Sequence, residues 1–240
     1  MGLEGKTAIV TGGGSGLGRQ LVIALASAGC NVASVDLNQA GLDATAKLAE
    51  GLGGAVLSIV ADLSDTRQID SVMKETQDKF GRVDILINSA GVDFTVPVSD
   101  LTVEQWDKVI SVNLRAPFYL SKVAMEAMKE QGSGHVVNIS STAGKRAWAN
   151  AAAYHASKWG LIGLTRALGV EGRPHNIRAT LVVPGGMRTN FFDRLEVQPD
   201  PNNLQDPRAV ADMILHILSS PESSVVQEVM ITPLTETSWP

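Results

Sequence analysis

Tyr154 and Lys158 stand four residues apart in the run Ala153-Tyr154-His155-Ala156-Ser157-Lys158. On a helix that spacing places both side chains on one face, with Cβ atoms about 5–6 Å apart. A phenol that titrates at about 10 is a poor base at neutral pH. An ammonium held beside it favours the phenolate and makes the tyrosine a usable general acid/base. Such pairs also occur on solvated helix faces, so the surrounding chain has to decide between the two readings.

A second cluster lies near the start. Val10-Thr11-Gly12-Gly13-Gly14-Ser15-Gly16-Leu17-Gly18-Arg19 follows an apolar, strand-like run and opens a helical one, the setting a dinucleotide-binding turn requires. Gly12 permits a tight turn, Gly16 lets backbone approach a pyrophosphate, and Gly18 lets the helix pack close to the strand. The helix N-terminus adds N–H groups and a positive dipole. Asp36 ends the second strand, about 20 residues beyond the glycines, where a carboxylate accepts hydrogen bonds from both hydroxyls of an adenosine ribose. It would repel a 2′-phosphate, and the neighbours Leu37 and Ser15 bring no charge to offset it. The pattern predicts NAD in preference to NADP. The alternative for Asp36 is a strand-end carboxylate that caps Asn38 or a turn.

These groups can meet only on a suitable scaffold. Short β-branched and aliphatic runs at residues 7–10, 31–35, 56–60, 85–88, 135–139, 178–183 and 225–231 alternate with helical periodicity at 17–28, 39–48, 66–80, 103–130, 154–170 and 208–218. The alternation predicts an α/β fold: a doubly wound (Rossmann) parallel sheet of about seven strands with helices on both faces. Thr102 with Gln105 forms a capping-box pattern, and Asp206-Pro207 an N-cap followed by proline. Residues 185–205 read as irregular, with a short helix near 191–195, and are expected to form a substrate-binding loop. No repeat, linker or charge block interrupts the chain, so residues 1–240 are expected to form one NAD-binding domain.

Composition removes other classes. The net charge is −5 with basic residues scattered, which argues against a nucleic-acid partner. With 44% hydrophobic and 19% charged residues the chain lacks the signature of disorder. The single cysteine, Cys30, lies in an apolar run and reads as a buried thiol in a reducing compartment. The first residues lack the basic and apolar parts of a secretory signal. Lys6 stands where a myristoylation motif needs Ser or Thr. No run reaches the roughly 18 apolar residues of a membrane span. A cytoplasmic protein without a membrane partner is expected. His135, His155, His175 and His216 are dispersed without companions at ligand spacing, so no metal site is expected.

The motifs also fall in a telling order: the glycine turn, Asn88-Ser89-Ala90-Gly91, Asn113, Ser140-Ser141, Tyr154 with Lys158, and Pro184-Gly185. With Thr-Gly-x-x-x-Gly-x-Gly at 11–18, Tyr-x-x-x-Lys at 154–158 and a serine thirteen residues before the tyrosine, the chain resembles the short-chain dehydrogenase/reductase family over nearly all of its 240 residues. The resemblance implies an NAD-dependent oxidoreductase moving hydride between the nicotinamide and a secondary alcohol or ketone, a small-molecule substrate. It implies that Ser141, three residues before Gly144, holds the substrate oxygen, with Ser140 as runner-up. Tyr154 would exchange the proton, while Lys158 lowers the tyrosine pKa and grips the nicotinamide ribose. Asn113 would hold a relay water; a buried amide that satisfies a kinked helix is an equal reading. The cofactor would meet Gly12, Ser15, Gly16, Leu17, Gly18 and Asp36, then Asp62 and Leu63 at the adenine. Asn88, Ala90 and Gly91 would follow on the adenosine side, and Pro184, Gly185 and Thr189 at the nicotinamide end, with Tyr154 and Lys158. Asp62 has the alternative of capping a turn. The family also implies a homo-oligomer, tetramer or dimer.

Two departures stand out. Ser89 replaces the asparagine commoner in the family, and the C-terminal run Val229 to Glu236 lacks the usual Asp-Gly-Gly turn. Trp239 and Pro240 make an apolar tail suited to packing on a neighbouring subunit. Substrate choice would rest on 92–96, 147–153 and 185–204, where no charge pattern names a ligand. Arg146, Arg188 and Arg194 are either receptors for an acidic substrate or partners of local carboxylates such as Asp193 and Glu196. Trp148 and Trp159 are expected to pack in the core or on helices rather than stack on substrate. Two alternatives remain: a 3-oxoacyl-type carbonyl reductase using NAD(P)H, and a catalytically silent dinucleotide-binding protein, against which the intact Tyr154 and Lys158 count.

Overall fold

The structure, a computed structural model, describes residues 2–193 and 198–236. Seven strands, β1 (Thr7–Thr11), β2 (Asn31–Asp36), β3 (Val56–Val60), β4 (Ile85–Asn88), β5 (Gly134–Ile139), β6 (Ile177–Pro184) and β7 (Glu228–Ile231), form one sheet in the order β3-β2-β1-β4-β5-β6-β7. Every neighbouring pair is parallel. The strands are mostly apolar because both faces are covered. The helices are α1 (Gly16–Ser27), α2 (Gln39–Leu48), α3 (Thr66–Phe80), α4 (Val103–Ile110), α5 (Ala116–Gln131), α6 (Ala152–Gly172) and α7 (Pro207–Leu218). On one face Leu21 and Leu25 of α1 and Val210 and Ile214 of α7 bury Val10, Val32 and Ile87. On the other, Ile69 of α3, Leu120 and Met128 of α5 and Leu168 of α6 bury Ile9, Val35, Leu86 and Val136. This is the expected doubly wound sheet, and its strand order reverses between β1 and β4, where such sheets open a crevice at their C-terminal edge.

Register sets that edge. Thr11 lies opposite Val35, Val10 opposite Ile87, Asn88 opposite Asn138 and Ile139 opposite Val182. The ends of five central strands therefore deliver Thr11, Asp36, Asn88, Ser140 and Pro184 to one rim.

The helix expected over 103–130 is continuous in backbone but not uniform. Between α4 and α5 a π turn spans Ser111–Arg115, with the Ala116 N–H reaching back to the Ser111 carbonyl. Pro117 has no N–H to offer and its ring crowds the carbonyl four residues earlier, and a wider turn relieves that clash. The Thr102/Gln105 capping box and the Asp206 cap both form. The last strand is shorter than the apolar run 225–231, because only single bonds, from Leu181 N–H to the Gln227 carbonyl and from the Thr180 hydroxyl to the Val226 carbonyl, precede Glu228. Within 185–205 the described residues form two 3₁₀ turns, Asn190–Phe192 and Pro201–Asn203, tied by a bridge between Met187 and Gln205. The rest of the helix expected near 191–195 lies outside the described residues, as do Arg194, Glu196, Trp239 and Pro240. Cys30 is fully buried, and burial pushes its thiol up to about 12, so it is inert. Among the described residues no helix is long and apolar enough to cross a membrane.

Candidate active site

Thr11 hands the chain to a turn that only glycine can make. Gly12 has φ +74, and a Cβ there would lie 3.1 Å from the Ala90 backbone; Gly16 has φ +50 and faces the Thr189 side chain. A Cβ on Gly18 would strike the Gly12 carbonyl at 2.0 Å, so α1 sits directly on the turn. Leu17 anchors the first helical turn in the core. Ser15, the N-cap residue, makes no side-chain cap bond, which leaves the first N–H groups of α1 available to an anion.

Asp36 reaches the same turn from β2. Its Oδ2 accepts the Gly14 N–H at 3.0 Å and its Oδ1 the Asn38 N–H at 3.0 Å. The capping alternative is therefore real, yet an ionised carboxylate has about four acceptor sites and these bonds occupy two. Arg19, which the sequence reading passed over, bonds the Gly14 carbonyl and, at 3.0 Å, Thr45 Oγ1. Its fork is occupied in joining the turn to α2.

At the end of β4 the expected cofactor residues divide. Thr11 Oγ1 accepts both the Ser89 and Ala90 N–H groups at 3.0 Å, which shapes the stretch up to Gly91. Ser89 thus contributes its backbone, and its departure from the family residue leaves this strut intact. The Asn88 side chain turns inward, donating to Asn138 Oδ1 at 2.8 Å and Ser121 Oγ at 3.4 Å, and ties β4 to β5 and α5. Leu63 is packed in the core. Asp62 accepts from the Ser64 N–H and hydroxyl at 2.8 and 2.6 Å and pairs with Lys108 of α4 at 3.2 Å. The Ser64 hydroxyl first, and then Lys108, holds its carboxyl below the usual range. Asp62 thus caps the turn.

The chemical cluster forms where β5 meets α6. Tyr154 and Lys158 share a helix face, with Lys158 Nζ 5.5 Å from the tyrosine ring centroid and 2.8 Å from the Ile139 carbonyl. The Ser141 hydroxyl lies on the Tyr154 side, where it favours the ionised phenol, and accepts the Ala143 N–H at 3.1 Å. Ser140 instead points into the interior and donates to the Lys158 carbonyl at 3.1 Å, so of the two serines only Ser141 faces the phenol. Gly91 lies against this cluster: a Cβ on it would sit 3.6 Å from Asn113 Oδ1 and 3.7 Å from Lys158 Nζ. Asn113, in the π turn, accepts the Val92 N–H and donates to the Val92 carbonyl, both at 2.9 Å, and donates to Ser157 Oγ at 3.2 Å. The buried Asn113 amide thus serves the segment after β4 and α6 rather than the backbone of its own kinked helix.

The Tyr154 phenol is pushed up from its ordinary value. Burial is the largest cause and the Asp93 charge adds to it, while Ser141 pulls the other way. The ammonium is itself buried, drawn down to about 8, and its bond goes to the Ile139 carbonyl rather than to the phenol oxygen.

The loop after β6 closes one side. Pro184 is the last residue of β6, and the Gly185 N–H bonds the Ile231 carbonyl at 2.9 Å. Thr189 caps the turn that carries Phe191, whose ring centroid is 5.6 Å from that of Tyr154. Arg146 pairs with Glu236 at 3.3 Å and Arg188 with Asp206 at 3.7 Å. Trp148 and Trp159 are not core residues: they are 45% and 53% exposed, Trp148 packing edge-on against His155 at 4.5 Å. Among the described residues no group of three His, Cys, Asp or Glu side chains converges as a metal site would.

Bare turn backbone, a helix N-terminus, a strand-end carboxylate and a buried lysine beside a tyrosine fit a nicotinamide dinucleotide laid along the rim. A site of this kind on this sheet defines a dinucleotide-dependent oxidoreductase. Comparison with known proteins gives the family: the pattern of the short chain dehydrogenases matches residues 6–200. Levodione reductase of Leifsonia aquatica is 37% identical over 215 residues, covering 88% of this chain and 79% of that one. A 3-oxoacyl-[acyl-carrier-protein] reductase of Thermotoga maritima is 34% identical over 238 residues, 96% of this chain and 97% of the other. The crystal structure of a metagenomic short-chain oxidoreductase in complex with NADP superposes with a TM-score of 0.86 at 33% identity, covering 96% and 98% of the two chains. The protein belongs to the short-chain dehydrogenase family and is an oxidoreductase of that family.

Proposed function

We propose that the chain works as one NAD-preferring domain that interconverts a secondary alcohol and its ketone, with residues 185–205 as the substrate loop. The observation that carries this is the half-buried Tyr154 on the side of Ser141, with Lys158 Nζ 5.5 Å from its ring centroid, at the rim where the glycine turn ends. A bound nicotinamide would take up or supply the hydride. Ser141 holds the substrate oxygen, and Tyr154 moves the proton between that oxygen and solvent. Lys158, charged below about 8, favours the phenolate when the proton leaves and serves as donor to the nicotinamide ribose. Asn113 holds Val92, and through it the segment that faces the phenol.

Preference for NAD rests on Asp36, whose carboxylate is held at the turn and would repel a 2′-phosphate. The nearby cation, Arg19, is engaged with Gly14 and Thr45. We place the enzyme in the cytoplasm and as a homo-oligomer, tetramer or dimer; exposed Trp106, Phe118 and Trp159 on α4, α5 and α6 supply apolar surface for a second copy. The second reading, a 3-oxoacyl-type reductase using NADPH, is favoured by similarity to the Thermotoga maritima enzyme over nearly its whole length.

Titration with NADH and NADPH, followed by nicotinamide fluorescence, separates the two. Tight NADH and weak NADPH binding supports the first, the reverse supports the second, and binding of neither refutes both. Tyr154→Phe should keep NADH affinity and lose about 100-fold or more in turnover; an active variant would remove Tyr154 from the acid/base role.

A further inference from the structure

His155 follows Tyr154 on α6 and is buried. No step of the proposed reaction uses it, yet its ring is bonded at both ends to the segment that leaves β5. Nδ1 lies 2.9 Å from the Ala143 carbonyl oxygen, and Nε2 lies 3.1 Å from the Trp148 nitrogen and 3.2 Å from the Trp148 carbonyl oxygen. A carbonyl can only accept, so Nδ1 carries its proton and donates to Ala143. That bond is the same in either charge state of the ring. A bare Nε2 accepts the Trp148 N–H, and a protonated one donates to the Trp148 carbonyl. The Trp148 ring completes the contact by packing edge-on against the imidazole.

Ala143 connects this histidine to the serine. It lies in the 3₁₀ turn Thr142–Gly144, and its N–H is donated to Ser141 Oγ at 3.1 Å. His155 thus holds the carbonyl of the residue whose N–H holds the serine. The turn is also pressed onto α6: a Cβ on Gly144 would lie 2.9 Å from the Lys158 carbonyl and from Ile162 Cδ1. The Gly144 N–H closes the turn on the Ser141 carbonyl at 2.9 Å. A serine hydroxyl has one proton and two lone pairs. With the Ala143 N–H on one lone pair, the rotamer of Ser141 is fixed and its own proton is left to give to a substrate oxygen. Without His155 the Ala143 peptide is free to turn, and the serine loses the bond that aims it. Displacement of a catalytic group by about 1 Å costs up to about 100-fold in rate.

From this we infer that His155 is a positioning residue for Ser141, acting through the Ala143 backbone, while its other nitrogen ties down the far end of the same loop at Trp148. The inference rests on the reading above in which Ser141 holds the substrate oxygen, and adds the side chain that keeps the serine aimed.

The test compares wild type with His155→Asn, His155→Gln and His155→Phe in steady-state oxidation of 2-butanol, cyclohexanol and 1-phenylethanol by NAD, and in NADH titration. The asparagine amide falls where Nδ1 stood and can bond Ala143. The glutamine amide falls where Nε2 stood and can bond Trp148. Phenylalanine keeps the ring and neither bond. Turnover should follow the Ala143 bond: kcat of His155→Asn stays within about threefold of wild type, while His155→Gln and His155→Phe lose about tenfold or more, the scale of one hydrogen bond, with NADH affinity held within about twofold. A merely structural histidine would not be rescued by asparagine over glutamine. Equal kcat in all four proteins, an asparagine variant as slow as the phenylalanine one, or rescue by glutamine instead overturns this inference alone. If His155→Phe fails to bind NADH, the asparagine and glutamine variants decide by the same criterion. Wild type that oxidises none of the three alcohols overturns the inference together with the reading beneath it.

Discussion

Thr11→Val exchanges one oxygen for a methyl group on a β-branched side chain, so it leaves the strand and the local volume unchanged. The lost oxygen accepts two backbone N–H groups, of Ser89 and Ala90, at 3.0 Å each, from a side chain that is 1% exposed. A buried donor left without a partner costs about 1–3 kcal/mol. Burial of the extra methyl returns about 0.8 kcal/mol. Two orphaned donors therefore predict a net loss of roughly 3 kcal/mol. At about 2–4 °C per kcal/mol for a chain of this size, Tm should fall by roughly 6–12 °C. Thr11→Ser keeps the acceptor and should lose only about 1 kcal/mol. Urea and thermal unfolding followed by circular dichroism at one fixed protein concentration measures both. The same loop carries Gly91 against Lys158, so NADH affinity should weaken in the valine variant and not in the serine variant. A valine variant within about 0.5 kcal/mol of wild type, the usual scale for an inconsequential substitution, would show that the two N–H groups have other partners and that Thr11 does not hold the loop.

Three further outcomes are expected. Lys158→Met should raise stability at pH 7 by about 1–3 kcal/mol while abolishing turnover. The lysine is drawn from 10.5 to about 8, so between those values the unfolded chain binds the extra proton and wild-type stability rises with pH. The gain of the variant should therefore shrink toward pH 10, and a gain equal at all pH values in urea titrations would contradict the burial argument. His135 is held neutral by burial and by Arg178 and Lys6, its pKa lowered from 6.5 to about 3. Wild-type stability should accordingly fall by about 2–3 kcal/mol between pH 7 and pH 4.5; His135→Gln should flatten that slope in acid-unfolding curves, and an unchanged slope would clear His135 of the effect. Asp36→Ala should weaken NADH more than NADPH in the fluorescence titration, and equal weakening would mean that Asp36 serves only the turn.

What was legible in the sequence follows from what each pattern encodes. The sheet and its crossovers were, because apolar runs of strand length and stretches of helical period report burial directly. The glycine turn was, because Gly12 and Gly16 adopt positive φ and Gly18 has no room for a Cβ. The pairing of Tyr154 with Lys158 needed only helical spacing. Direction of side chains was not legible: Asn88 faces inward to Asn138, and of the two roles open to Asp62 the spacing could not foresee its bonds to Ser64 and Lys108. The sign of the Tyr154 shift was hidden for a similar reason, since burial and the charge of Asp93 come from elements distant in the chain. The π turn had one available signal, Pro117 in the midst of a helical stretch; the proline marks a disturbance there without stating its form.

That turn also governs which changes of length the chain tolerates. A π turn holds one residue more than an α-helix of the same rise, and each residue of an α-helix advances about 100° around the axis. Removal of a single residue from Ser111–Arg115 would let the helix run as uniform α with α4 and α5 still in phase, so Leu120, Ala124 and Met128 would stay on the face of the sheet. What would be lost is the wide turn that carries Asn113 to Val92. A one-residue deletion within α5 itself, ahead of Leu120, has no such reserve: it would turn the rest of the helix about 100° and carry those side chains off the sheet.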